Sequence, residues 1–201
     1  MTDTPEPLIL ASRSPRRQEL LAEAGYTFSV IAPDPCVEES GTPSRCAAEL
    51  VTHLAYRKAR DVADRVCRGV VIGCDTVVEC CGQILGKPRN RGHARQILHL
   101  LRGREHRVYS GLCLIRQPQN TVLVDVAVSV LFMQQISDGL IERYLDTELW
   151  QGKAGAFGLQ DRLGWIEVRM GSLSNVVGLP MELLAEMLQR IGYRRGAPVP
   201  A

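Results

Sequence analysis

Asp75 stands in the middle of V-V-I-G-C-D-T-V-V-E, residues 70–79, a run dominated by β-branched side chains. That composition suits a strand buried on both faces. A carboxylate inside it costs several kcal/mol if it is ionised, desolvated and unpaired. It survives where a cation, a metal or a ring of donors faces it; otherwise the strand is half-buried and Asp75 lies on the wet face. Basic residues that could face it occur at separate places along the chain. Arg16 and Arg17 follow S-R-S-P, where Ser14 suits a helix N-cap and Pro15 the first helical position. Arginines set against the helix dipole, beside unpaired backbone N–H groups and the hydroxyls of Ser12 and Ser14, make an anion site or a solvated basic turn.

Lys58 follows Ala47, Val51 and Leu54 at helical steps, so it lies on an apolar stripe. It either snorkels to water or points into a cleft. Lys87 is fixed between Gly86 and Pro88. The surrounding G-Q-I-L-G-K-P is no Walker A loop, because three residues separate the glycines and proline replaces the hydroxyl that would hold magnesium. The segment G-K-A-G-A-F-G-L-Q-D-R-L-G, residues 152–164, carries Lys153 and Gln160 on a glycine-rich frame. Such a frame is a flexible connection or a cradle for phosphate or base. The loop D-P-C-V-E-E-S-G-T-P holds Asp34, Glu38 and Glu39, solvated unless it folds toward the arginine turn as a supplier of metal ligands.

The elements that must position these groups alternate in type. Strands are predicted at 8–11, 26–32, 70–79, 84–85, 107–115, 121–133 and 165–169. Helices are predicted from Pro15 to Gly25, from Pro43 to about Arg65, over 91–101, from Ser137 through Leu145, and from Pro180 to about Arg190. The 91–101 helix buries Ala94, Ile97, Leu98 and Leu101, and its basic residues Arg91, Arg95 and Arg102 are expected in solvent. Residues 8–193 read as one domain between a disordered start, 1–7, and a loose tail, 194–201.

The 201 residues can bury a good core, and 45% hydrophobic with 23% charged residues is ordinary for a soluble globular chain. A net charge of +2 does not call for nucleic acid or an anionic membrane, so any anion site must come from local clustering. With 5% aromatic residues, stacking platforms for RNA are few. No apolar run is long enough for a bilayer, and no signal peptide is expected. Seven scattered cysteines without a C-x-x-C read as reduced thiols in a cytoplasm.

L-I-L-A-S-R-S-P-R-R-Q-E-L-L, G-C-D-T-V-V, I-L-G-K-P, G-K-A-G-A-F-G-L-Q and N-V-V-G-L-P occur in the order found in the Maf proteins. The chain resembles that family from Leu8 to about Leu188. The resemblance implies an elongated α/β fold, similar to the inosine triphosphatase architecture, with a mixed sheet forming two lobes around a central cleft. It also implies a homodimer and a nucleoside triphosphate pyrophosphatase, with a historical link to septum formation.

By that resemblance Asp75 is the catalytic aspartate. Ser12, Arg16 and Arg17 form the phosphate-binding turn, and Lys58, Lys87 and Lys153 the cations around the cleft. Glu39, with Glu38 as the alternative, joins Asp75 in holding Mg²⁺ or Mn²⁺. Arg16, Thr76 and Gln160 match the branch acting on dTTP and UTP rather than the 7-methyl-GTP branch. The chain departs from the family pattern at Cys74, Ser110 and Asp161-Arg162. The rival expectation is a nucleotide-binding regulator of septation that needs no hydrolysis.

Overall fold

Strand β3 (Gly69–Cys80) is the axis of the structure, a computed structural model that describes residues 6–39, 46–161 and 163–194, without the side chains of residues 38 and 39. The two terminal tails expected from the sequence lie almost wholly outside the described residues. Six further strands join β3 in one mixed sheet: β1 (Leu8–Ala11), β2 (Ser29–Val30), β4 (Gln83–Leu85), β5 (Glu105–Gln117), β6 (Thr121–Met133) and β7 (Ile166–Met170). Their order is β2-β1-β3-β5-β6-β7, with β4 paired to β3. β1 runs parallel to both β2 and β3, and the remaining pairs are antiparallel.

One feature of the register makes the cleft. β5 pairs with β3 from Gly69 to Glu79 along one edge. On the other edge β1 stops at Gly73, and β4 begins only at Val78. Residues 74–77 therefore have no strand neighbour on that side, and Asp75 and Thr76 lie in the gap. The cores fall on either side of it. One cluster packs Val78, Leu85 and Val108 with α4 (Arg91–Leu101), α5 (Asp138–Asp146), Trp150 and Phe157. Another packs Leu8, Leu10, Val70 and Ile72 with α1 (Pro15–Glu23) and α7 (Met181–Arg190). These are the two lobes expected of the family fold.

Helix α3 (Ala47–Ala63) lies on the sheet through Ala55, Ala59 and Val62. It sits against backbone. A Cβ on Gly73 would come within 2.2 Å of Ala55 O, and one on Gly111 within 2.2 Å of Val51 O. Gly111 is the cross-strand partner of Asp75. Glycine at these two strand positions is what lets the helix approach so closely.

Several sequence expectations need correction. The second strand shrinks to Ser29–Val30. The helix expected from Pro43 starts, among the described residues, at Ala47; residues 43–45 lie outside them. The acidic segment carries a single helical turn, α2 (Cys36–Glu39), rather than loop alone. Ser14 occupies the N-cap of α1, but its hydroxyl makes no capping bond. The basic face of α4 is not simply solvated. Arg91 and Arg95 bind Glu142, Arg91 also binds Asp146, and Arg102 binds Asp138, so these arginines tie α4 to α5. A sequence shows one helix at a time and cannot reveal the acidic face of the next. Among the described residues no helix is long and apolar enough to cross a membrane.

Candidate active site

The gap in the sheet opens into a cleft of about 390 Å³. Every sequence-predicted site residue whose side chain is described lines it: Asp75 and Thr76 from β3, Ser12, Arg16 and Arg17 around the start of α1, Lys58 from α3, Lys87 after β4, and Lys153 and Gln160 from the glycine-rich segment. The side chain of Glu39, and of its alternative Glu38, lies outside the described residues.

Lys58 settles one ambiguity of the sequence. It does not snorkel: it is 4% exposed, and its Nζ donates to Asp75 Oδ1 at 2.6 Å. The close seat of α3 on Gly73 and Gly111 brings the two together. Asp75, with its side chain 15% exposed, keeps an open path to the cleft. The carboxylate is thus neither on a wet face nor sealed in a core.

Arg17 sits where the two lobes meet. Its Nε donates to Gly178 O at 2.7 Å, and its terminal nitrogens donate to Cys74 O, Ser12 Oγ and Thr76 Oγ1. Cys74 O belongs to the unpaired edge of β3, so the guanidinium serves where a neighbouring strand is missing. Gly178 closes α6 (Leu173–Val177) at φ 124°, a left-handed conformation that favours glycine. Asn175 anchors α6 by donating to Val108 O and Ser129 Oγ from a fully buried position. Thr76 Oγ1 lies 2.8 Å from Ser110 Oγ, its cross-strand partner.

Arg16 crosses the cleft mouth and donates to Gly152 O at 3.0 Å. Burial first, and then the adjacent Arg17, push its pKa below the ordinary guanidinium value, while Asp161 pulls the other way. Lys153 is buried and paired with Asp161, whose other oxygen accepts from Tyr144 OH at 3.0 Å. Burial, then the Asp161 charge, raises the Tyr144 pKa, so the phenol stays a donor. Lys87 is exposed at the rim. The glycine-rich segment docks beside it, with Gly155 N donating to Gly86 O.

The sequence reading missed three of these groups. Arg13 lines the cleft and donates to Pro33 O. Asn175 is visible as part of N-V-V-G-L-P but gave no sign of its buried bonds. Asp161 was visible only as a departure from the family pattern. The seven cysteines are free thiols. Burial raises the pKa of Cys74, which keeps that thiol protonated beside the site.

Among the described residues no three His, Cys, Asp or Glu side chains converge as a metal cage. Among the described residues Asp75 is the one carboxylate lining this cleft, and Asp34 lines a smaller recess that adjoins it. That set still fits Mg²⁺, which is commonly held by one or two carboxylates together with waters and substrate phosphates. The cleft can therefore concentrate positive charge on a polyanion and place a carboxylate at its centre.

Comparison with known proteins shows what the chain as a whole is similar to. A dTTP/UTP pyrophosphatase of Rhodopirellula baltica is 51% identical over 92% of this chain and 82% of its own length. Proteins of the same name from Dictyoglomus thermophilum and Thermococcus gammatolerans are 42% and 41% identical, again over 92% of this chain and over 96% and 97% of theirs. A solved dITP/XTP pyrophosphatase from Mycobacterium abscessus aligns over 92% of this chain and 97% of its own. Its identity is 15% and its TM-score 0.41, too loose a likeness to bear on function. The model of the Maf-like protein family matches residues 7–191, and the chain belongs to that family.

Proposed function

We propose that this chain is a hydrolase acting on acid anhydrides, a nucleoside triphosphate pyrophosphatase. It cleaves the bond between the α and β phosphates of dTTP or UTP, giving the monophosphate and pyrophosphate. The observation that carries the reading is the charge pattern of the cleft. Among the described residues, Arg13, Arg16, Arg17, Lys58, Lys87 and Lys153 line it against one carboxylate, Asp75. The shared name of the relatives supports the same chemistry and the same pyrimidine substrates.

A bound triphosphate carries about four negative charges, which repel an attacking water unless cations offset them. Arg13, Lys58 and Lys87 are suited to that work around the phosphates. Asp75 acts as general base: it takes a proton from the water as the water oxygen bonds to phosphorus, the anhydride bond breaks, and pyrophosphate leaves. Lys58 orients the carboxylate by holding Oδ1. Arg17, with its donors engaged by protein, keeps Ser12, Thr76 and the edge of β3 in register. Asp75, with Glu39 as the expected second carboxylate, would hold Mg²⁺ or Mn²⁺. The ion would supply charge stabilisation and phosphate alignment. The homodimer implied by the family likeness and the cytoplasmic setting read from the reduced cysteines belong to the same proposal.

The test is pyrophosphate release from dTTP, UTP, CTP, dGTP, ATP and 7-methyl-GTP, with Mg²⁺, with Mn²⁺ and with chelator. Metal-dependent release led by dTTP and UTP is expected. Nucleotide binding without release from any of them would refute the enzyme and favour a binding regulator.

A further inference from the structure

Lys153 differs from the other cleft lysines in its counterion and its place. Its ammonium is paired with Asp161, and the two side chains are 10% and 5% exposed. Asp161 is itself pinned by Tyr144 of α5, so the carboxylate is fixed on both oxygens. An ammonium held this way brings little net charge to a polyanion. It remains a directed hydrogen-bond donor.

Its place points the same way. A second recess, of about 220 Å³, continues the cleft and is lined by Ser12, Arg13, Pro33, Asp34, Lys58 and Lys87, three cations to one carboxylate, but not by Lys153 or Gln160. The phosphates therefore have their own end. Outside that recess Lys153 Nζ and Gln160 Oε1 both approach Gly158, each 3.0 Å from where a Cβ would stand. Two polar heads converge there because glycine leaves the room. The walls beside them include Val78, Phe157 and Val176, apolar surfaces suited to a flat base.

We propose that Lys153 reads the pyrimidine together with Gln160, and that Asp161 is the positioning residue that aims the Lys153 ammonium at the base. The inference rests on the pyrophosphatase reading of the cleft and deepens it. Uracil and thymine present a carbonyl, an N3–H and a second carbonyl. The ammonium, which only donates, meets a carbonyl, while the Gln160 amide oxygen accepts from N3–H. Cytosine presents an amino group and a bare N3 at the same edge. Its amino group faces the ammonium donor to donor, and the buried Lys153 and the Gln160 amide are left without matching partners. A site that hydrogen-bonds one edge rejects the other for that reason.

The experiment is titration calorimetry in chelator, with dTTP, dCTP and inorganic tripolyphosphate as probes. It compares the wild type, Lys153→Met, Asp161→Asn and the double variant, which removes both charges as a pair. Each variant is expected to narrow the dTTP-over-dCTP affinity ratio by about tenfold or more, the size of a charge-assisted hydrogen bond. Tripolyphosphate affinity should stay within about twofold. An unchanged ratio with weakened tripolyphosphate binding would make Lys153 a phosphate ligand and overturn the proposal. Equal weakening of dTTP and dCTP would make Asp161 a merely structural residue and overturn it too. If a single variant does not fold, the double variant decides by the same ratio. A wild type without preference for dTTP ends the proposal outright. A wild type with that preference that releases no pyrophosphate with metal refutes the enzyme and leaves base reading intact.

Discussion

Gly111→Ala tests whether the seat of α3 on the sheet sets the active geometry. The new Cβ would stand 2.2 Å from Val51 O, 2.3 Å from Val51 C and 2.5 Å from Thr52 N, all of them backbone atoms that cannot rotate away. Ordinary contact begins near 3.4 Å. Helix α3 must therefore lift by about 1 Å, and overpacking of this kind costs roughly 1–3 kcal/mol. For a chain of this size that lowers the melting temperature by roughly 2–12 °C. The lift falls seven residues before Lys58 on the same helix, so the 2.6 Å contact between Lys58 and Asp75 opens with it. Misplacing a reacting group by about 1 Å costs up to about 100-fold in rate. The assay pairs thermal denaturation with pyrophosphate release from dTTP. Gly92→Ala, in the first turn of α4 with nothing closer than 3.4 Å, is the control and should gain stability slightly. A Gly111→Ala protein with wild-type melting temperature and turnover would refute the reasoning.

Other expectations follow from single contacts. Asp75→Asn should fold and lose about 10²–10⁴ in kcat, the usual contribution of a general base; steady-state kinetics on folded protein checks this, and full activity would remove Asp75 from the mechanism. Arg17→Lys replaces a planar fork that reaches Gly178 O, Cys74 O, Ser12 Oγ and Thr76 Oγ1 by a point donor. It should cost about 1–3 kcal/mol in denaturant unfolding, and an unchanged midpoint would count against the clamp. Burial lowers the pKa of His106 from 6.5 to about 4, with Nδ1 at Arg104 O and the ring edge-on to Phe157. Between those values the unfolded chain binds the proton and the folded one does not. Stability is therefore complete above 6.5 and falls as pH drops toward 4, by up to about 3 kcal/mol. His106→Phe should flatten that slope when unfolding is compared at pH 5 and pH 7.

What was legible in the sequence was local. The β-branched run around Asp75 sets a buried strand, the spacing of Ala94, Ile97, Leu98 and Leu101 sets the inner face of α4, and helical phase puts Lys58 on the inner side of α3. Collinear motifs carried the family, because each is a short stretch that holds its own turn or cap. The chain alone could not say whether Asp75 faced water or a cation. That depends on strand pairing between residues far apart in sequence: β1 ends before Asp75, β4 starts after it, and Gly111 opposite makes room for α3. Nor could it say that Arg17 is engaged by carbonyls from β3 and α6, that the basic face of α4 meets the acids of α5, or that Lys153 has Asp161 as its counterion. Periodicity and propensity act within one element. Charge pairing and close approach arise between elements, and only the tertiary structure brings those together.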